Sequence, residues 1–151
     1  MSMRVFDLIR CCAPCFYPSD DLVSSATYEN AEKFVLPVTR GKVVNIYDGD
    51  TITLAFCLNG KLYRTQVRLL GIDTAEMKGS SDVEKFAARQ AKNALLEKIM
   101  NQTVDLRRVG TEKYGRLLAE VWLGDENICK WMLAQGHAVP YEGGAKTFRW
   151  D

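Results

Sequence analysis

Between residues 43 and 135 the hydrophobic period switches from two to about 3.6 and back, and that order leaves few folds open. Val43, Val44 and Ile46 read as a strand. Asp48-Gly49 marks a turn, and Thr51-Ile52-Thr53-Leu54-Ala55-Phe56 alternates as a half-buried strand does. Asn59-Gly60 is a strong hairpin signal, because the tight turn needs positive φ at both places. A third strand is expected from Leu62 to Ile72. Ser81-x-x-Glu84 then makes a capping box, with Ala87, Ala91, Ala94, Leu95 and Ile99 at helical spacing behind it. That helix is predicted to end near Asn101. Val104–Val109 and Leu117–Leu123 read as two more strands across a polar loop at 110–116. Asn127 caps a second helix, Ile128–Gln135, which Gly136 stops. Three strands, a helix, two strands and a helix is the order of a small five-stranded Greek-key barrel of the OB type. The expected class is α+β, mainly β, with two or three helices.

Residues 1–35 stand apart. Pro14, Pro18, Ser19, Asp20 and Asp21 punctuate them, and no period is sustained. A flexible tail is expected there, with at most one short helix near Met3–Arg10, ahead of one domain over 36–151. With 151 residues, 47% of them hydrophobic and 26% charged, the chain has enough apolar surface for a single core. No run reaches the apolar length of a membrane-spanning helix. The net charge of +1 gives no overall pull on polyanions, so any such binding rests on local clusters.

His137 is the single histidine, which nearly excludes chemistry built on paired histidines. There is no G-x-S-x-G elbow and no P-loop. The five cysteines (11, 12, 15, 57 and 129) do not form a disulfide framework, and a reducing, cytoplasmic compartment is expected. Cys57 and Cys129 read as packed thiols, and Trp122, Trp131 and Met132 as core. His137 reads as a surface or capping residue.

Chemistry concentrates in three further clusters. Asp48-Gly49-Asp50-Thr51 reads first as a tight turn, and second as a turn whose Asp50 binds a metal; EF-hand spacing fails. In Arg68-Leu69-Leu70-Gly71-Ile72-Asp73-Thr74-Ala75-Glu76, alternation puts Arg68, Leu70 and Ile72 on one strand face. Asp73 and Glu76 then enter a loop as two carboxylates three residues apart. They read either as a surface pair with Arg68 or as a cation ligand and a base. Lys113-Tyr114-Gly115-Arg116 puts a guanidinium at a loop-to-strand junction, or is simply a solvated turn. Together the clusters supply oxygen ligands, a carboxylate base and two arginines. Phosphodiester hydrolysis uses those parts and needs no histidine.

These residues, with Glu112 ahead of the last cluster, resemble the staphylococcal nuclease (thermonuclease) family in order and spacing from about Leu36 to Tyr141. The resemblance implies an OB-fold barrel that cleaves DNA and RNA with Ca²⁺, prefers single strands and leaves 3′-phosphates. By that resemblance Asp50 and Asp73 are carboxylate ligands of the calcium, and Thr74 adds its backbone carbonyl. Glu76 matches the general base, and Arg68 and Arg116 match the arginines that grip the scissile phosphate. Lys113, Tyr114 and Tyr141 match positions that touch the nucleotide. The family pattern usually has proline where Ala75 stands and aspartate where Glu112 stands. Met77–Asp82, matching a mobile loop over the site, is short and carries only Lys78 as a base. Known members continue into a third helix after the segment matching Val139–Tyr141. Here the fold is either closed differently, with Phe148 and Trp150 as candidates, or shortened.

A rival from another class is an OB module that has lost catalysis and binds nucleic acid or protein. Against it, Asp50, Arg68, Asp73, Glu76 and Arg116 are all retained. A monomer is expected. Cys11, Cys12 and Cys15, beside Phe6, Leu8, Ile9 and Phe16, lie either in an unmodified tail or in a palmitoylated anchor that tethers the chain to a membrane.

Overall fold

The computed structural model describes residues 20–79, 81–144, 148 and 150. The helix expected near Met3–Arg10 and the cysteines Cys11, Cys12 and Cys15 lie outside the described residues. Ahead of the main unit is one short helix that the periodicity does not announce, α1 (Asp20–Ser24). The Ser24 and Ser25 hydroxyls donate to the Asp21 and Leu22 carbonyls, each at 3.0 Å. No helix among the described residues is long and apolar enough to cross a membrane.

The main compact unit runs from Val35. Its elements are β1 (Arg40–Ile46), β2 (Thr51–Leu58), β3 (Lys61–Leu69), β4 (Ile72–Asp73), α2 (Asp82–Ile99), β5 (Thr103–Thr111), β6 (Leu117–Leu123), β7 (Glu126–Asn127), α3 (Ile128–Ala134) and β8 (Val139–Pro140). Neighbouring strands run β3-β2-β1-β5-β6, and β6 returns to β3 as a parallel partner through Val67↔Leu117 and Leu69↔Ala119. The five long strands thus close into the barrel expected of an OB fold.

The inward residues explain the closure. Val43, Ile52, Leu54, Val67, Leu69, Val104, Ala119 and Val121 are buried and pack as one core. Ala91, Leu95 and Ile99 bring one face of α2 onto it, and Ile128 and Met132 bring α3. The helices start where their caps stand. The Ser81 side chain accepts from the Glu84 N–H, and the Asn127 side chain accepts from the Lys130 N–H, each at 3.0 Å. Asn59 (φ 49) and Gly60 (φ 75) form the tight hairpin turn between β2 and β3.

The third strand is shorter than expected. It stops at Leu69, because Gly71 (φ 81) turns the chain. Ile72 leaves the face of Arg68 and Leu70 and enters the core. Ile72 and Asp73 form β4, which pairs with β8 through Ile72↔Pro140 and Asp73↔Val139. Cys57 is exposed, not packed, because Leu54 and Phe56 take the inward places of β2. Cys129 is buried. Trp122 and Trp131 are half-buried, with the Arg107 guanidinium 3.9 Å and the Lys98 ammonium 5.0 Å over their rings. Phe148 is 53% exposed and meets Trp150 edge to face, which is not the position of a core plug.

Candidate active site

The site grows from the turn between β1 and β2. The Asp50 N–H donates to Asp48 Oδ1 at 3.3 Å, and the Tyr47 N–H donates to the Thr51 carbonyl at 2.9 Å. Only glycine fits at position 49. A Cβ there would lie 2.7 Å from Ala91 Cβ and 2.9 Å from Thr74 Oγ1, so the turn seats directly on α2 and the segment after β4. The Leu69 N–H donates to the Asp50 carbonyl at 2.8 Å, which ties the turn to the end of β3. Backbone bonding alone thus brings Asp50 beside Arg68.

Arg68 points away from the core residues Val67 and Leu69. Its Nη2 lies 2.8 Å from Asp50 Oδ2 and 2.8 Å from Asp73 Oδ1. Both aspartates are 5% exposed. Thr51 Oγ1 donates to Asp50 Oδ1 at 2.9 Å. Two buried carboxylates share one guanidinium nitrogen, so negative charge is in excess. Burial pushes the Asp50 carboxyl up to about 7, and the neighbouring Asp48 adds to this while Arg68 opposes it. Burial works against the Arg68 cation, but Asp50, Asp73 and Glu112 outweigh it and hold its proton more firmly than water would.

Two cavities meet at this arginine. The smaller, about 250 Å³, is lined by polar groups that include Asp48, Asp50, Thr74, Glu76 and both Arg68 and Arg116. The larger, about 830 Å³, opens between the β5–β6 loop and the segment after β8. Arg68 and Arg116 border both. Arg116 is ion-paired through Nε to Glu112, one helical turn's spacing earlier in the chain. Their loop is closed by the Glu112 N–H on the Arg116 carbonyl and the Gly115 N–H on the Glu112 carbonyl, both at 3.0 Å. Gly115 supplies the positive φ of 82 that the turn needs. Across the larger cavity, the Tyr141 N–H donates to the Gly71 carbonyl at 3.0 Å and its hydroxyl donates to the Gly144 carbonyl at 2.7 Å. The Arg68 guanidinium carbon lies 5.8 Å from the Tyr141 ring centre.

The oxygen donors suit a hard divalent cation. Asp50 is preset by the β1–β2 turn and Asp73 by β4, and burial penalises the charged form of Asp50 that a cation would favour. Among the described residues no three His, Cys, Asp or Glu side chains gather as a metal cluster. A cation here would complete its shell from backbone carbonyl oxygens and water.

Residues 66–149 match the model of the staphylococcal nuclease homologue family, more than half of the chain. The chain belongs to that family. A thermonuclease of Staphylococcus intermedius is 41% identical over 87 residues, 56% of this chain and 49% of that one. A thermonuclease of Staphylococcus hyicus is 35% identical over 100 residues, 64% and 56% of the two chains. An uncharacterised endonuclease of Haemophilus influenzae is 34% identical over 101 residues, 67% and 52%. The chain spans about half the length of the curated relatives it matches.

The nuclease-homologue stretch holds Arg68, Asp73, Thr74, Glu76, Lys113, Tyr114, Arg116 and Tyr141. Asp50 precedes it, and it is the fold that joins Asp50 to the rest. Asp50, Arg68, Thr74, Glu76 and Arg116 line the smaller cavity. Asp73 is outside that lining but touches it through Arg68. Lys113, Tyr114 and Tyr141 line the larger cavity instead, with Lys113 and Tyr114 exposed. Three residues escaped the sequence reading. Tyr47 lines the smaller cavity, and no local pattern marks it. Asp48 belongs to a turn that the sequence announces, but its charge acts on Asp50 only through the folded geometry. Arg108 lines the larger cavity, and nothing in the strand pattern separates it from Arg107.

Proposed function

We propose that this chain is a calcium-dependent endonuclease that hydrolyses phosphodiester bonds of DNA and RNA, prefers single strands and leaves 3′-phosphates. The observation that carries the reading is the pair Arg68 and Arg116 bordering one cavity that Glu76 and the buried Asp50 also line, with the buried Asp73 held against Arg68. Asp50, Asp73 and the Thr74 carbonyl would hold the cation. When bound it supplies positive charge against the phosphoryl oxygens of the substrate.

The chain's own residues do the rest. Arg68 and Arg116 bind the non-bridging oxygens of the scissile phosphate and hold them more tightly as charge grows toward the transition state. Asp50 and Asp73 fix the plane of the Arg68 guanidinium through Nη2, so its orientation is set before substrate arrives. Glu76 takes the proton of a water that attacks phosphorus in line, the bond to the 5′ oxygen breaks, and that oxygen takes a proton from solvent to leave as a hydroxyl. Tyr141 and Tyr114 offer aromatic faces to the nucleotide in the larger cavity, and Lys113 offers a cation.

The deciding experiment is cleavage of single-stranded DNA and RNA at low salt with Ca²⁺, with Mg²⁺ and with a chelator, beside Arg116→Ala. Calcium-dependent cleavage lost in the variant supports enzyme and site together. Binding without cleavage would replace this reading with a catalytically silent OB module.

Alongside it we propose a monomer, tethered to a cytoplasmic membrane face by acylation of Cys11, Cys12 and Cys15. A Cys11→Ser, Cys12→Ser, Cys15→Ser variant should then leave the membrane fraction; unchanged partitioning ends the tether idea.

A further inference from the structure

Among the described residues three non-glycine residues have positive φ: Asn59, Asn101 and Arg108. The asparagines sit at a hairpin tip and a helix end, where that residue is at ease. Arginine has no such tolerance. Arg108 takes φ 52 inside β5, where the register against β6 slips between Arg107 and Gly110. A bulge of this kind re-aims a side chain, and glycine would fill the place without strain. A non-glycine residue held in this conformation is a candidate for function, since packing alone does not require arginine there.

That side chain is aimed. Its Nη1 lies 3.1 Å from Glu120 Oε1, and Trp122 Nε1 donates to Glu120 Oε2 at 3.3 Å. Yet 73% of the Arg108 side chain remains in solvent, so the pair sets direction more than it adds stability. Arg108 borders the larger cavity with Arg68, Lys113 and Arg116, against the carboxylates Glu112 and Glu142. All three arginines hold carboxylates, but the Arg68 and Arg116 side chains are only 16% and 28% exposed. Lys113 and Arg108 are the exposed cations of that cavity.

We propose that Arg108 is a specificity-determining residue that takes a second backbone phosphate, beyond the one gripped by Arg68 and Arg116. This rests on the nuclease reading and adds a substrate class: chains with phosphates past the scissile one are favoured over those with one phosphate. The bland alternative is an exposed ion pair on a strained bulge, and the two differ in what glycine does. As a purely structural residue, Arg108 would leave substrate preference untouched.

The test compares the full chain with Arg108→Gly and Arg108→Lys on a single-stranded octadeoxynucleotide and on a dinucleoside monophosphate. In Arg108→Gly the preference for the octamer, as a ratio of kcat/KM values, should fall roughly three- to tenfold. The fall should lie in KM, and the slope of log affinity against log salt should drop by about one. The melting temperature should hold or rise, since glycine relaxes the backbone. Arg108→Lys should keep part of the preference, because an ammonium still pairs with phosphate. An unmoved preference in Arg108→Gly, or an equal loss on both substrates with a lowered melting temperature, overturns the proposal and leaves the nuclease reading in place. A parent that cleaves neither substrate overturns the nuclease reading. Arg108 is then judged by fluorescence anisotropy of the labelled octamer, where unchanged affinity and salt slope overturn it as well.

Discussion

The two cavities that share Arg68 and Arg116 are built in opposite ways. The smaller is made of strand ends and a turn pinned on α2; Asp50 in its lining and Asp73 just outside it are 5% exposed and share one guanidinium nitrogen. The larger is walled mostly by the loop around Lys113–Gly115 and by residues 141–144, and Tyr114 is 79% exposed. Asp50 and Asp73 are held out of water, where each charge counts for more, whereas Lys113 and Arg108 beside the second cavity stand in water that screens them. The division is between a rigid half suited to bond breaking and an open half suited to recognition. Damage to the first should therefore appear in kcat, and damage to the second in KM.

The largest effect is expected at the shared boundary. Arg116→Ala should lower kcat by about 10²–10³, the loss of one contact that tightens at the transition state, about 3–4 kcal/mol. Arg116→Lys should not restore it, because a single ammonium cannot reproduce the fork that meets both Glu112 and a phosphate. Steady-state kinetics on single-stranded DNA give the split. A fall confined to KM would dissolve the distinction between the halves.

The second contrast uses two glycines, one from each half. A methyl at Gly49 meets Ala91 Cβ at 2.7 Å and Thr74 Oγ1 at 2.9 Å, both parts of packed structure. Gly49→Ala should cost about 1–3 kcal/mol by overpacking and should shift Asp50, so kcat falls with stability. Gly71 has open space around it, and its φ of 81 is the only objection to a side chain. Gly71→Ala should cost about 1–2 kcal/mol through that backbone preference. Urea denaturation with parallel kinetics reads both. A Gly49→Ala enzyme with full kcat would mean that the smaller cavity is less rigid than its packing implies.

These glycines also show how far the sequence alone reaches. Asp48-Gly49 and Asn59-Gly60 announce their turns, because turn chemistry is local. The OB strand order is legible because the period change at Ser81–Glu84 admits few topologies. The break at Gly71 is not legible, since Leu69-Leu70-Gly71-Ile72 keeps an apolar pattern straight through it. The pairing of β4 with β8 is long-range and leaves no local trace. Among site residues, Asp50, Arg68, Asp73 and Glu76 stand out as charges beside strand ends. Tyr47 and Arg108 do not, because lining a cavity is a property of the fold and not of a motif.

The third prediction concerns pH and the buried half. Asp50 titrates near 7 in the fold against an ordinary value of 3.8. The folded state therefore keeps a proton that the unfolded chain gives up. The stability this adds is fully present below about pH 4 and is lost as pH rises toward 7. In a chelator, thermal melting should fall across that window, and Asp50→Asn should flatten the fall. Added Ca²⁺ should raise the melting temperature most above pH 7, where the carboxylate is bare. A flat profile in the parent would mean that the Asp50 pair is better compensated than its burial suggests.

The smallest effect belongs to the open half. Tyr114 has its ring in water with the Lys113 ammonium 5.7 Å from the ring centre, so neither residue is held by the core. Losing one stacking face should cost about 1 kcal/mol of binding, the low end for an exposed ring. Tyr114→Ala should raise KM roughly fivefold at unchanged melting temperature, since nothing buried depends on it. Lys113→Ala should instead reduce the salt slope by about one, because its contribution is a counterion released and not a surface covered. The pair thus separates stacking from charge within one cavity: raising salt should erase the Lys113→Ala defect and leave the Tyr114→Ala defect in place. Equal salt sensitivity of the two defects would show that Tyr114 acts by orienting Lys113 rather than by stacking.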